Sequence, residues 1–106
     1  MAWIVLFAAG LFEVVWAFAM KQSEGFTRLP ASIVTVVAMV ASVVLLGWAM
    51  RILPLGTAYA VWTGIGAVGS FLLGILVLGE AASAGRLIAA AMIVGGLVLM
   101  KMSTTT

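Results

Sequence analysis

The chain has 106 residues, 66% of them hydrophobic and 8% charged, with a formal net charge of +2. An ordinary soluble domain is about one-quarter charged, so eight charged residues cannot clothe a water-facing surface, and lipid must cover a chain long enough for one domain only. The absence of cysteine and histidine excludes disulfides, thiol chemistry, thiolate metal sites and histidine bases, and the sparse charge forms no basic patch for nucleic acid.

A spanning helix needs about 20 mostly apolar residues. Residues 2–20 form the first such run, interrupted only by Glu13. It lacks the basic start of a secretory leader and carries an acid in its apolar stretch, so it is expected to be a retained helix. Residues 21–30 are the first polar stretch and read as a loop. Residues 31–50 form the second span, between Pro30 and Arg51. Proline suits the first turn of a helix, where its missing N–H leaves no bond unmade. Residues 51–57 are the second loop, and Thr57 is the expected N-cap of a third span over 58–78. After a loop at 79–85, with Ser83 as a candidate cap, the fourth span runs from about 84 to 101. Arg86 and Lys101 can snorkel to the two interfaces, and 103–106 read as a frayed polar tail. The runs are too long and uniformly apolar for the alternating strands of a membrane barrel. Helices also satisfy their own backbone groups in lipid. The expected fold class is an all-α membrane protein of four transmembrane helices.

Charge does not orient these helices. With the N-terminus inside, Arg51 and Lys101 lie on the inner face and Lys21, Arg28 and Arg86 on the outer. Such near-balance gives the positive-inside rule nothing to act on. Either another feature sets the orientation, or copies insert both ways.

Glu13 is the central residue. It sits roughly 15–18 Å along a helix that rises 1.5 Å per residue, near mid-membrane, where a charge costs about 2.5–3.5 kcal/mol to insert. An intramembrane acid marks function by default, although a protonated structural carboxyl is the alternative. No basic residue lies in any span centre, so its counter-ion is a proton or a cation from outside. The other two acids, Glu24 and Glu80, fall in loops and read as solvated charges without a special role.

The company of Glu13 fits a cation site. Gly10, Glu13 and Ala17 share one helix face, and Trp16 is one turn on. In the third span Tyr59 and Trp62 are a turn apart, with Gly66 on the same face, and Ser42 lies at mid-depth in the second. Aromatic faces attract cations and stack on guanidinium planes. Tyr59, close to its helix end, equally suits an interfacial belt, as do Trp3 and Trp48. Ser42 has the alternative of bonding the carbonyl one turn back in its own helix. Gly64, Gly66 and Gly69 permit either close packing or a bend. In the fourth span Ala89, Met92, Gly95 and Gly96 offer a small-residue strip for helix association.

These residues resemble the small multidrug resistance family of bacterial transporters over essentially the whole chain. The resemblance is carried by Glu13-Val14-Val15-Trp16-Ala17, by the first loop with Gly25-Phe26-Thr27, and by the string from Leu53-Pro54-Leu55-Gly56-Thr57 through Tyr59 and Trp62 to Gly64-Ile65-Gly66-Ala67. Trp16-Ala17 and Ser42 look like the guanidinium-exporter subtype, because the quaternary-ammonium subtype usually has Gly-Thr after Glu-Val-Val. The resemblance implies an antiparallel homodimer in the bacterial inner membrane, with two Glu13 side chains facing one site. It implies proton-coupled export by alternating access, with Glu13, Trp16, Ser42, Tyr59 and Trp62 lining the site. It also implies a bend at Gly64 and Gly66, and a dimer contact through the fourth helices, where Ala89, Met92 and Gly96 lie. The expected partners are a small organic cation (guanidinium), protons, membrane lipid and a second copy of the chain. No cofactor, metal or nucleic acid is expected.

Three other readings compete. A broad multidrug exporter would need a larger aromatic cage, since quaternary cations donate no hydrogen bonds. A non-transporting accessory subunit would have no use for an unpaired mid-membrane acid beside tryptophans. A channel would show repeated polar pore-lining positions, and few are present. Within the leading reading, Ser42 is expected to orient the Glu13 carboxyl.

Overall fold

The computed structural model describes residues 1–103. It contains four membrane-spanning helices: α1 (Ala2–Gln22), α2 (Leu29–Ala49), α3 (Leu55–Leu76) and α4 (Ala84–Ser103). Each has 20–22 residues, which at 1.5 Å per residue matches a hydrocarbon layer about 30 Å thick. Of the expected polar tail, Ser103 closes α4 and the remainder lies outside the described residues.

The helix boundaries have local causes. α1 runs two residues beyond the expected 20 and stops at Ser23, whose hydroxyl donates to Met20 O at 2.6 Å and accepts Phe26 N–H at 3.0 Å. The chain then turns through three consecutive left-handed residues, Glu24, Gly25 and Phe26. α2 starts at Leu29, two residues early, so Pro30 stands in its first turn as its chemistry requires. α3 corrects the expected cap. It begins at Leu55, three residues before 58, with Pro54 as the capping residue and no side-chain cap bond. Pro54 has φ −58° and ψ 149°, and its carbonyl accepts Ala58 N–H at 2.9 Å. The proline backbone performs the entry, and Thr57 is already inside the helix. α3 ends at Leu76 rather than 78. Left-handed Gly79 then lets Glu80 N–H return to Gly74 O at 2.9 Å. Ser83 caps α4 as expected, accepting Arg86 N–H at 3.2 Å.

α1 packs on α2 and α3, while the α4 backbone lies against α3. The buried core joins Ala2, Leu6 and Ala9 of α1, Leu46 and Ala49 of α2, Leu53, and Ala58 and Val61 of α3. Alanines with no exposed surface at 9, 49 and 58 let these backbones approach closely, the device expected where lipid removes the hydrophobic drive. α4 buries no residue. The loops between α1 and α2 and between α3 and α4 share one face of the bundle, tied by Lys21 Nζ to Glu80 Oε2 at 3.1 Å. At the other face Lys101 lies over the Trp3 ring, 4.6 Å from its centroid.

Candidate functional site

Glu13 is held at the α1–α3 contact. Its carboxyl lies directly against Gly66: a Cβ there would come within 2.5 Å of Oε2 and 2.8 Å of Oε1. Only glycine accepts this approach. Gly10, one turn back, admits Ile65 in the same way, where a Cβ would meet Ile65 Cγ2 at 2.6 Å. Gly69 receives Val14. The α1–α3 interface is therefore built from glycines on both helices, each seating a side chain of the other.

Glu13 Oε2 and Trp16 Nε1 are buried and have no hydrogen-bond partner among the described residues. One is an acceptor and the other a donor. A buried polar atom left unsatisfied costs about 1–3 kcal/mol, and more when charged. Two such atoms within one helical turn mark this stretch of α1 as the candidate site. Ala17 follows Glu13 on the same face and is half-buried.

Ser42 behaves differently from the expectation. Its side chain is fully buried. It donates to Ala9 O at 2.7 Å and accepts Trp62 Nε1–H at 2.8 Å. Its proton is thus spent on α1 backbone, neither on the Glu13 carboxyl nor on its own helix. Ala9 is four residues before Glu13, so the same carbonyl receives the Glu13 amide in the α-helical ladder. Ser42 fixes the turn that carries Glu13 and, on its other side, the Trp62 indole. Tyr59 stacks obliquely on Trp62, with ring centroids 5.6 Å apart and planes at 50°, and is 54% exposed. The structure therefore brings Ser42, Trp62 and Tyr59 into one connected group, and Glu13 with Gly66 into a second contact one turn along α3.

The remaining expected positions have clear locations. α3 is continuous through Gly64 and Gly66, and Gly64 admits Leu97 of α4, where a Cβ would meet Cδ2 at 2.7 Å. On α4, Ala89 lines a groove with Ala67 and Phe71 of α3. Met92 is exposed, and Gly96 faces open space within the chain. Two features escaped the sequence. The first is Gly66 as the seat of the carboxyl, which only the α1–α3 register reveals. The second is Glu80, expected as a free solvated charge but paired with Lys21 from 59 residues away. Among the described residues no group of acids could hold a metal ion.

Comparison with known proteins places this chain in a family. The model of the family described as Small Multidrug Resistance protein matches residues 1–93. The guanidinium exporter of Citrobacter freundii is 60% identical over 98% of this chain and 99% of its own length. The guanidinium exporter of Salmonella typhi is 57% identical over 97% of this chain and 98% of its own. That of Yersinia pseudotuberculosis serotype I is 57% identical over 98% and 100%.

Proposed function

Since the chain belongs to the small multidrug resistance family and is a multi-pass protein of the bacterial inner membrane, we propose that it exports guanidinium in exchange for protons, with both cations competing for Glu13. The observation that carries this reading is the buried Glu13 oxygen without a donor, in a membrane span whose chain offers no internal base. Relatives of near-identical length named as guanidinium exporters support the substrate.

The chemistry follows from the groups present. A carboxylate presents two in-plane acceptors, and guanidinium presents a planar edge of donors, so the pair can bond bidentately. Trp62 and Tyr59 supply flat faces on which a guanidinium plane stacks. Trp16 N–H can donate to a carboxylate oxygen and hold its plane. A proton on the carboxyl removes the charge that binds the cation, and the cation removes the acceptor that binds the proton. Occupancy by one excludes the other, and exchange rather than leak follows when only an occupied site reorients. Two chains in antiparallel arrangement would place two Glu13 side chains at one site and give α4, none of whose residues is fully buried within its own chain, a surface to pack on. The nearly balanced loop charges support insertion in both orientations. Alternating access then amounts to the pair exchanging its open face, with Gly64 and Gly66 as the points where α3 yields.

The test is Glu13→Gln in proteoliposomes. Glutamine keeps size and removes titration and charge. Truncating a buried charge pair costs about 2–5 kcal/mol, roughly thirty- to a few-thousandfold, so guanidinium-driven proton flux should vanish while the helices still insert. Flux that persists in Glu13→Gln would sink the assignment.

A further inference from the structure

The α1–α3 seam continues past Glu13 toward the face that carries the first and third loops. On α1 it is drawn by Glu13, Ala17 and Lys21, and on α3 by Gly66, Ser70 and Gly74, each set spaced one turn apart. The Glu13 carboxyl rests on Gly66 at one end. At the other, the Glu80 carboxylate folds over Gly74, where a Cβ would meet Glu80 Cδ at 3.0 Å, and pairs with Lys21. Between these ends lies a cavity of about 190 Å³ lined by Ala17, Phe18, Ser70 and Leu73, with Lys21 and Glu80 at its mouth. Its inner end, at Ala17 and Ser70, is one helical turn from the Glu13–Gly66 contact, about 6 Å of helix axis.

We propose that this seam is the route by which small cations and protons reach Glu13 from the loop face, and that the Lys21–Glu80 ion pair is the latch that closes it. The route rests on the reading of Glu13 as the cation site. Several features suit the task. The latch joins α1 to the turn after α3, so it breaks when those two helix ends separate and re-forms when they close. Glu80 is not carried on a loose loop: left-handed Gly79 and the Glu80 N–H bond to Gly74 O fix its backbone on α3. The two side chains are 63% and 45% exposed, so water and ions compete for them and the pair opens readily. While closed, the two side chains meet across the mouth and obstruct it. Inside, the Ser70 hydroxyl makes no hydrogen bond among the described residues and offers a polar step on an otherwise apolar path. Gly74 is the position that lets the latch lie flat, because any side chain there displaces the carboxylate.

The chain has no cysteine, so Ser70→Cys creates a single reporter inside the seam. The experiment measures its labelling rate by a charged, membrane-impermeant maleimide on the purified full-length protein, with the latch intact, in Glu80→Gln, in Lys21→Gln, and in the exchanged pair Lys21→Glu with Glu80→Lys. The proposal expects slow labelling in the parent, a rise of about threefold to fivefold in either single variant, the scale of an exposed ion pair, and a return toward the parent rate in the exchanged pair. Leu73→Cys, lining the same cavity, is a second reporter if Ser70→Cys does not fold. Equal rates in parent and single variants overturn the latch. Guanidinium exchange by the same proteins separates this from the transport reading. Normal exchange with unresponsive labelling removes the latch and leaves transport standing. Responsive labelling without any exchange removes transport, and the route with it.

Discussion

Ser42 and Glu13 are both polar groups inside a membrane helix, and the chain treats them in opposite ways. The Ser42 hydroxyl uses its proton on Ala9 O and a lone pair on Trp62 Nε1, and nothing of it is exposed. Glu13 leaves one carboxyl oxygen with no partner, and Trp16 leaves its N–H in the same state. The first region is finished and the second is open. A satisfied polar network fixes geometry and adds rigidity, while an unsatisfied one is a standing cost that a ligand can relieve. The difference divides the labour: Ser42, on α2, ties α1 and α3 in register, and the turn so held leaves a Glu13 oxygen open, as the proposed cation site requires.

The comparison can be broken most severely at Gly66. Gly66→Ala places a methyl group where the Glu13 carboxyl lies. Overpacking of this kind costs about 1–3 kcal/mol, up to roughly a hundredfold in guanidinium exchange, and insertion should survive because the helix gains a better helix former. Exchange measured beside size-exclusion behaviour checks this. Unchanged exchange would mean the carboxyl works from another position.

A smaller effect is expected at Ser42. Ser42→Ala strands Trp62 N–H in a partly buried place, which costs toward the lower end of about 1–3 kcal/mol, near tenfold. Transport currents for guanidinium and for a tetraalkylammonium ion, in parent and variant, read the outcome. The planar ion should suffer more, because it depends on directed hydrogen bonds that a quaternary cation cannot form. Equal parent currents for both ions would instead favour a broad multidrug exporter.

The smallest effect belongs to Thr35, the other fully buried hydroxyl of α2. It donates at 2.8 Å to Ala31 O, one turn back in its own helix. That carbonyl already accepts the Thr35 amide, so Thr35→Val strands no donor. Exchange should change by less than about threefold, roughly 0.5 kcal/mol. If Thr35→Val were as damaging as Ser42→Ala, burial rather than cross-helix bonding would explain both.

The same contrast explains what was legible in the sequence. The four spans were, because membrane crossing is a property of composition summed over some twenty residues. Glu13 was, because an acid in such a run has no cheap structural excuse. Ser42 stood out at mid-depth and Trp62 as an aromatic one turn from Tyr59, but the bond between them, and the use of Ala9 O, depend on how α1, α2 and α3 are rotated against one another. No local signal carries that rotation. Gly66 read, with Gly64 and Gly69, as a place for either close packing or a bend, whereas its contact with the carboxyl is a matter of interhelical register. Lys21 and Glu80, far apart in the chain, met for the same reason. The start of α3 was misplaced because Thr57 offers a capping side chain while Pro54 already supplies the backbone geometry. Local preference yields where a fixed φ settles the entry first.

The central claim is that protons and guanidinium share the Glu13 carboxyl, and guanidinium affinity as a function of pH tests it most directly. Protonation removes the negative charge that binds the cation, so lowering pH must raise the apparent dissociation constant. For one shared carboxyl the rise approaches tenfold per pH unit once the protonated form dominates, and two coupled carboxyls give a broader curve. The account predicts affinity that weakens steadily as pH falls across about 8 to 5, the window open to a carboxyl in apolar surroundings, with residual binding in Glu13→Gln independent of pH. Affinity that stays flat across that window in the parent protein would contradict it.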